Sequence, residues 1–103
     1  MDRNVPINIR ARDGFTPLLA AVENGQENMA LWLISQSANF NVQDSSRNSC
    51  LHVAAMKGFV SICRLLVHAG AAMNLLNAYD EAPLDVGQNA EVCRVILGKR
   101  NSS

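Results

Sequence analysis

His52 and Cys50 are the residue types in this chain that could do chemistry together, an imidazole as base and a thiol as nucleophile. Their spacing argues against it. Cys50 to Lys57 reads as a helix, and residues two apart on a helix point about 200° away from one another. Cys63 and Cys93 bring the cysteines to three, an odd number with no Cys-x-x-Cys spacing and no ligand-spaced partners. They read as small apolar core residues in a reducing compartment rather than as a metal or redox site. Asp13, Asp44, Asp80 and Asp85 are spread over turns and helix starts, as turn and cap residues are, and do not form an acid–base pair. Asp85 falls in a first helical turn and His68 in a last one, the ends that favour negative and positive charge respectively. No Gly-x-x-x-x-Gly-Lys, His-Glu-x-x-His or Gly-x-Ser-x-Gly pattern occurs. The expectation is a chain without catalytic, cofactor-binding or metal-binding residues, and not an enzyme.

Composition narrows the partners. Acidic and basic residues number nine each and are intermixed, so the formal net charge is zero. Nucleic acid asks for a basic stripe, and an anionic membrane surface for a basic cluster. Neither is expected as a partner. No apolar run approaches the roughly 18 residues of a membrane span, so no membrane insertion is expected. Met-Asp-Arg-Asn-Val-Pro at the start lacks the apolar core of a signal peptide. The chain is read as cytoplasmic or nuclear. At 103 residues and 49% apolar it is long enough for one cored domain.

The elements that must position these residues are short helices. Ser49 offers a hydroxyl cap to the helix Cys50–Lys57, and Gly58 can end it in a left-handed conformation. A second helix runs from about Val60 to His68, with Ile62, Leu65 and Leu66 as an apolar stripe, Arg64 pointing away and Gly70 closing it. Helices of about eight residues do not stand alone in water, so this pair needs neighbours of its own shape. A shift of 33 residues back lays Thr16-Pro17-Leu18 over Ser49-Cys50-Leu51, Gly25 over Gly58 and Trp32-Leu33 over Leu65-Leu66. A shift of 33 forward lays Ala82-Pro83-Leu84 on the same template, and beyond it the offset falls to 30, so three residues are lost at the turn. In the first copy Thr16 caps, Pro17 takes the first helical position, and Met29, Trp32 and Leu33 are expected to be buried. Ser37 stands where the middle copy has Gly70, and its helix end is expected to distort. Ala82 cannot cap as Thr16 and Ser49 do.

The period of 33, Asp-Gly-Phe-Thr-Pro-Leu at 13–18, Leu-His-Val-Ala-Ala at 51–55 and Gly-Ala-Ala-Met-Asn at 70–74 resemble ankyrin repeats. The likeness covers roughly residues 8 to 98. It implies an all-α repeat solenoid, an ankyrin-type stack of helix-turn-helix pairs joined by β-hairpin-like fingers. It is expected to form a single domain over 1–103, with repeats at approximately 8–40, 41–73 and 74–100 and a frayed tail at 101–103. Ile9 to Phe15 would be half of the first finger, with Gly14 at its turn. Arg47 and Asp80 stand where a finger tip usually has Gly, which predicts looser fingers. By resemblance His52 would bond the hydroxyl of its own repeat and the adjacent finger.

The resemblance also implies where a partner binds: at the finger tips and the inner helix ends. On this chain those are Arg10, Arg12, Asp13, Phe15, Glu23 and Asn24 in the first repeat. The middle repeat offers Gln43, Ser45, Ser46, Asn48, Met56 and Lys57, and the third Leu76, Ala78, Tyr79 and Glu81. Residue chemistry selects Arg12, Phe15, Met56 and Tyr79 as anchors, with Arg10 and Lys57 steering an acidic segment. Phe15 and Tyr79 could equally pack between fingers. Asn41 and Asn74, each eight residues after a helix leucine, match asparagines that are hydroxylated in some ankyrin repeats, and the bland alternative for them is a turn hydrogen bond.

The function this implies is a non-catalytic scaffold holding another protein or a peptide segment, monomeric on its own. Two alternatives stay open. One is an intramolecular targeting or regulatory module of a larger enzyme, channel or adaptor. Leu31, which aligns with the outward Arg64 and Arg94, is then a contact for a segment outside the chain rather than a single exposed leucine. The other is self-association through the apolar finger Leu75-Leu76-Tyr79.

Overall fold

The computed structural model describes residues 16–98 in full and the backbone of 99 and 100. The half-finger expected over Ile9 to Phe15, the contacts expected of Arg10, Arg12, Asp13 and Phe15, and the tail 101–103 lie outside the described residues. The described helices are α1 (Pro17–Glu23), α2 (Glu27–Ser35), α3 (Cys50–Lys57), α4 (Val60–Ala69), a 3-10 turn (Pro83–Val86) and α5 (Ala90–Arg100). They form two layers. α3 lies between α1 and the 3-10 turn in one, and α4 lies between α2 and α5 in the other.

Local chemistry sets the helix starts. The Thr16 hydroxyl accepts from the Leu19 N–H at 3.3 Å, and Pro17 occupies the first turn, where its missing N–H leaves nothing unsatisfied. Ser49 does the same for α3, accepting from the His52 N–H at 3.3 Å. Gly58 ends α3 at φ 73°, a conformation that strains any residue with a Cβ.

The core is built from small and aliphatic side chains. Leu18, Leu19, Ala21 and Val22 of α1 meet Leu51, Val53, Ala54 and Ala55 of α3. Ile62, Cys63, Leu66 and Val67 of α4 are buried with Ala30 and Leu33 of α2 and Val92 and Ile96 of α5. Alanines at 21, 30, 54 and 55 let adjacent helices approach closely, which explains why so few rings suffice.

Three sequence expectations need correction. Met29 and Trp32 are not buried: they are 48% and 41% exposed, and α2 buries Ala30 and Leu33 instead. The equivalents Ile62 and Leu65 find cover because α4 has a second-layer helix on each side, whereas the only second-layer neighbour of α2 among the described residues is α4. Leu31 is 52% exposed, as its alignment with outward positions predicts. The end of α2 is not distorted. Ser37 adopts φ 70°, and its helix closes with Ala38 N–H to Leu33 O and Ser37 N–H to Ile34 O, both 3.0 Å. Gly70 closes α4 with the same pair of bonds.

The fingers are also closed rather than loose. Arg47 and Asp80 take φ 64° and 61°. The Asp44 carboxylate accepts from Ser46 and Asn48 N–H at 2.9 Å each. One repeat later the Asn77 amide oxygen accepts from Tyr79 at 2.9 Å and Glu81 at 3.0 Å. Ladder pairing among the described residues is a single antiparallel bridge, Gln43 to Ser49.

The third pair shows what losing three residues does. Its first helix shrinks to one 3-10 turn, and the Gln88 N–H then donates to Ala55 O at 2.8 Å, a carbonyl at the end of α3. Ala82 has no side-chain acceptor, but Asp85 supplies the other half of a cap, its carboxylate accepting from the Ala82 N–H at 2.9 Å. Asn89 caps α5 by accepting from the Val92 N–H at 2.9 Å. Gly87 is needed here for space, since a Cβ on it would stand 2.6 Å from Cys93 Sγ.

A left-handed non-glycine residue costs roughly 1–2 kcal/mol, part of which a glycine gives back in chain entropy. Ser37→Gly is therefore expected to stabilise the chain by about 1 kcal/mol. Gly87→Ala is expected to destabilise it through the Cys93 clash. Urea midpoints of the two variants check both signs.

Candidate partner-binding surface

The finger tips are held by bonds that run from one repeat to the next. The Ala78 N–H donates to Ser46 O at 2.9 Å. Asn77 Nδ2 donates to Asn48 Oδ1 at 3.0 Å and to Glu81 Oε1 at 3.0 Å. Gln43 Nε2 donates to Arg47 O at 2.7 Å and across to Leu76 O at 3.0 Å. At the finger base Asn41 Oδ1 accepts from the Ala72 N–H at 2.9 Å.

His52 is the buried centre of this network. Its Nδ1 accepts from the Ser49 N–H at 3.1 Å and lies 2.9 Å from Ser49 Oγ, and its Nε2–H donates to Glu81 O at 2.7 Å. The ring is fully buried and both nitrogens are used, which fixes the neutral Nε2–H tautomer. This is the structural role expected for it. Burial lowers its pKa below the usual imidazole value, against an opposing pull from the Glu81 carbonyl. Cys50 lies one residue past the Ser49 cap, and burial pushes its thiol up to about 12. The Cys63 thiol is also pushed up to about 12, by burial first and by Cys93 second. Neither supplies a thiolate near neutral pH. Among the described residues no three His, Cys, Asp or Glu side chains cluster as a metal site would require.

The expected contact residues fall into two groups. At the tips, Ser45 and Ser46 are exposed beside Ala78, and Tyr79 stands 76% exposed. That exposure leaves little of the ring packed between fingers. Leu76, 48% exposed, lies on the same finger. At the helix ends, Met56 is 37% exposed and Lys57 pairs with Glu23 at 2.9 Å across the repeat boundary. An exposed ion pair of this kind contributes at most about 1 kcal/mol, yet it engages the lysine expected to steer a partner. Asn24 caps α1, donating from Nδ2 to Ala20 O at 3.0 Å. Asn48 and Glu81 are committed to the bonds between fingers, so less of each is left for a partner. Asn41 accepts from the Ala72 N–H, 31 residues on, rather than within its own turn, and Asn74 is exposed.

Sequence reasoning misses the reach of Asn77. It repeats the Asp44 role, and the signal is present: the two are 33 residues apart, one period. Sequence reasoning also passes over Arg64 and Arg94 as outward residues. They face a shared groove.

Comparison with known proteins agrees with this geometry. The family described as "Ankyrin repeats (3 copies)" matches residues 2–77. The chain is 35% identical over 100 residues to the B-cell lymphoma 3 protein homolog of Mus musculus, covering 96% of this chain and 22% of that protein. It is 34% identical over 85 residues to the human Ankyrin repeat and KH domain-containing protein 1, covering 81% of this chain and 3% of that protein. The chain thus spans about a fifth or less of the length of these relatives. Among solved structures, the ankyrin repeat domain of Bcl-3, described as a unique member of the IkappaB protein family, superposes with a TM-score of 0.91. The identity is 34%, over 93% of this chain and 42% of that one.

Because His52 is buried neutral with a lowered pKa, the unfolded chain binds its proton first. Stability is whole above the unfolded value of about 6.5 and falls as pH drops below it, by up to about 1.4 kcal/mol per pH unit. His52→Gln is expected to flatten this fall, as read from urea midpoints between pH 7.5 and 5.5. Native thiol titration is expected to label Cys93 alone, and the denatured chain all three cysteines.

Proposed function

The chain belongs to the ankyrin-repeat family, and we propose that it is a non-catalytic scaffold holding a partner protein at its finger tips and inner helix ends. The family supplies the coarser part, a protein-interaction module with no catalytic family indicated. The finer part rests on one observation. Tyr79 is 76% exposed on a finger whose backbone is closed and tied to its neighbour, so its ring is not needed to hold the fold. Tyrosines in such positions carry a large share of interface energy, because a rigid ring covers much area and loses little entropy. Leu76 on the same finger and Met56 at the end of α3 extend the apolar surface. Ser45, Ser46 and Ala78 form its polar and small rim. Arg12 and Phe15 keep their place in the proposal on sequence grounds alone.

Domain extent follows the same reading: one domain over 1–103, with repeats near 8–40, 41–73 and 74–100. Among the described residues no helix is long and apolar enough to cross a membrane, which is compatible with the proposed cytoplasmic or nuclear location.

A second reading has its own support. Met29, Leu31 and Trp32 leave α2 with three large exposed apolar side chains, the kind of surface another part of a larger polypeptide covers. The intramolecular role places that contact at α2 and leaves the fingers for an outside partner.

A photoreactive residue at position 79 or 56 is expected to crosslink one partner protein, identified by mass spectrometry, while one at position 61 on the opposite layer does not. With that partner purified, Tyr79→Ala is expected to weaken binding about tenfold at unchanged Tm, in line with a hot-spot loss above about 1 kcal/mol. A fallen Tm with unchanged affinity would assign Tyr79 to the fold instead.

A further inference from the structure

We propose that the outer groove between α4 and α5 is a second docking site, one that takes an acidic peptide segment of a partner protein. It lies in the helix layer away from the fingers and goes beyond the function proposed above. The groove encloses about 500 Å³. Val67 and Val95 give it an apolar floor, Arg64 and Arg94 stand on its two walls, and His68 and Glu91 complete the polar lining.

The repeat register creates the pair. Arg64 and Arg94 occupy one position of successive second helices, 30 residues apart in sequence. Their guanidiniums therefore project from neighbouring helix axes, which pack about 8–10 Å apart. Both side chains are exposed, and neither makes an ion pair or a hydrogen bond among the described residues. Two guanidiniums against the single Glu91 carboxylate give the groove a net positive charge in a chain whose total is zero. The same position of α2 is Leu31, so the groove between α2 and α4 lacks the pair.

Charge complementarity selects the occupant. Arginine forks bind carboxylates with two parallel N–H···O bonds, and two of them in a groove ask for two carboxylates. An extended segment with an acidic residue at every second position spaces these by about 7 Å and so offers two carboxylates within reach of arginines on neighbouring helices. The residues between would lie on the Val67–Val95 floor. A nucleic-acid backbone fits less well, since it carries no apolar side chains to lay on the Val67–Val95 floor.

Gly98 at the rim provides a clean test, because a Cβ built there meets no atom within 4 Å and so fills the groove without a clash. The probe is a fluorescein-labelled ten-residue peptide of alternating glutamate and alanine, with a control carrying glutamine for glutamate. The glutamate peptide is expected to bind and to shift the backbone amide resonances of Arg64, His68, Arg94 and Val95. Arg64→Gln with Arg94→Gln, and separately Gly98→Leu, are each expected to weaken it at least tenfold at unchanged Tm. Tyr79→Ala is expected to leave it untouched, which separates this site from the finger surface. Equal binding of the glutamine peptide, shifts confined to the fingers, or full affinity in the double arginine variant would overturn the proposal. So would a thymidine decanucleotide that bound as tightly with the same shifts, since the groove would then be a general polyanion site.

Discussion

Cover for α3 is the constraint from which the rest of the structure follows. Six of its eight residues are buried, and three elements do the burying: α1 on one side, the 3-10 turn on the other, and α4 behind. A helix of eight residues has no stability of its own to contribute, so every part of its cover has to come from sequence at least a turn away. That is why the period is strict where α1 meets α3 and can relax beyond. Deleting three residues after Val86 shortens the outermost element to a single turn, yet Pro83 and Leu84 still pack against the stack and Gln88 still reaches Ala55. The array tolerates this loss because, among the described residues, the 3-10 turn has to cover only one face of α3.

Polar groups fix the register that the apolar cover leaves loose. His52 joins a helix cap in its own repeat to a carbonyl in the next finger, and Asp85 keeps only the cap half of that role. The first copy has Leu19 at the same position, fully buried, with neither half. Satisfied on both nitrogens, the neutral ring is stabilising, whereas a proton on it would leave Nδ1 facing the Ser49 N–H with no acceptor to offer. The three left-handed non-glycine residues among the described residues fit the same picture. Ser37, Arg47 and Asp80 each sit inside a closed ring of backbone bonds, and those bonds hold the strained φ in place.

How much of this can be read from sequence depends on what kind of information each feature needs. Helix positions, the Thr16 and Ser49 caps and the alignment of copies are local or periodic, and all are legible. The side on which an apolar residue is covered is not local. Met29 and Trp32 fit the stripe of α2 as well as Leu33 does, but periodicity names a face without saying whether a neighbour stands there. The closed fingers are misjudged for a related reason: a missing glycine registers as strain, while the carboxylate of Asp44 and the amide of Asn77 that offset it act through backbone groups two and four residues away. His52 is legible only through the family likeness, since nothing in its spacing points to Glu81.

The two layers of the stack face different demands, and this shapes where partners can bind. In the finger layer, backbone and side-chain polar groups are consumed in tying one repeat to the next. Tyr79, Leu76 and Met56 are the large apolar side chains left exposed there among the described residues. Apolar rings and thioethers suit that surface because they add contact without competing for the bonds that hold the fingers. In the outer layer the helices satisfy their own backbones, and among the described residues no helix side chain there joins repeats by a hydrogen bond. Charged residues such as Arg64 and Arg94 can therefore occupy equivalent positions without disturbing the fold, and the register of the array brings them together. A chain of zero net charge thus leaves apolar side chains exposed at its fingers and sets a locally cationic groove between α4 and α5, because the same period places unlike residues on opposite sides of one thin core.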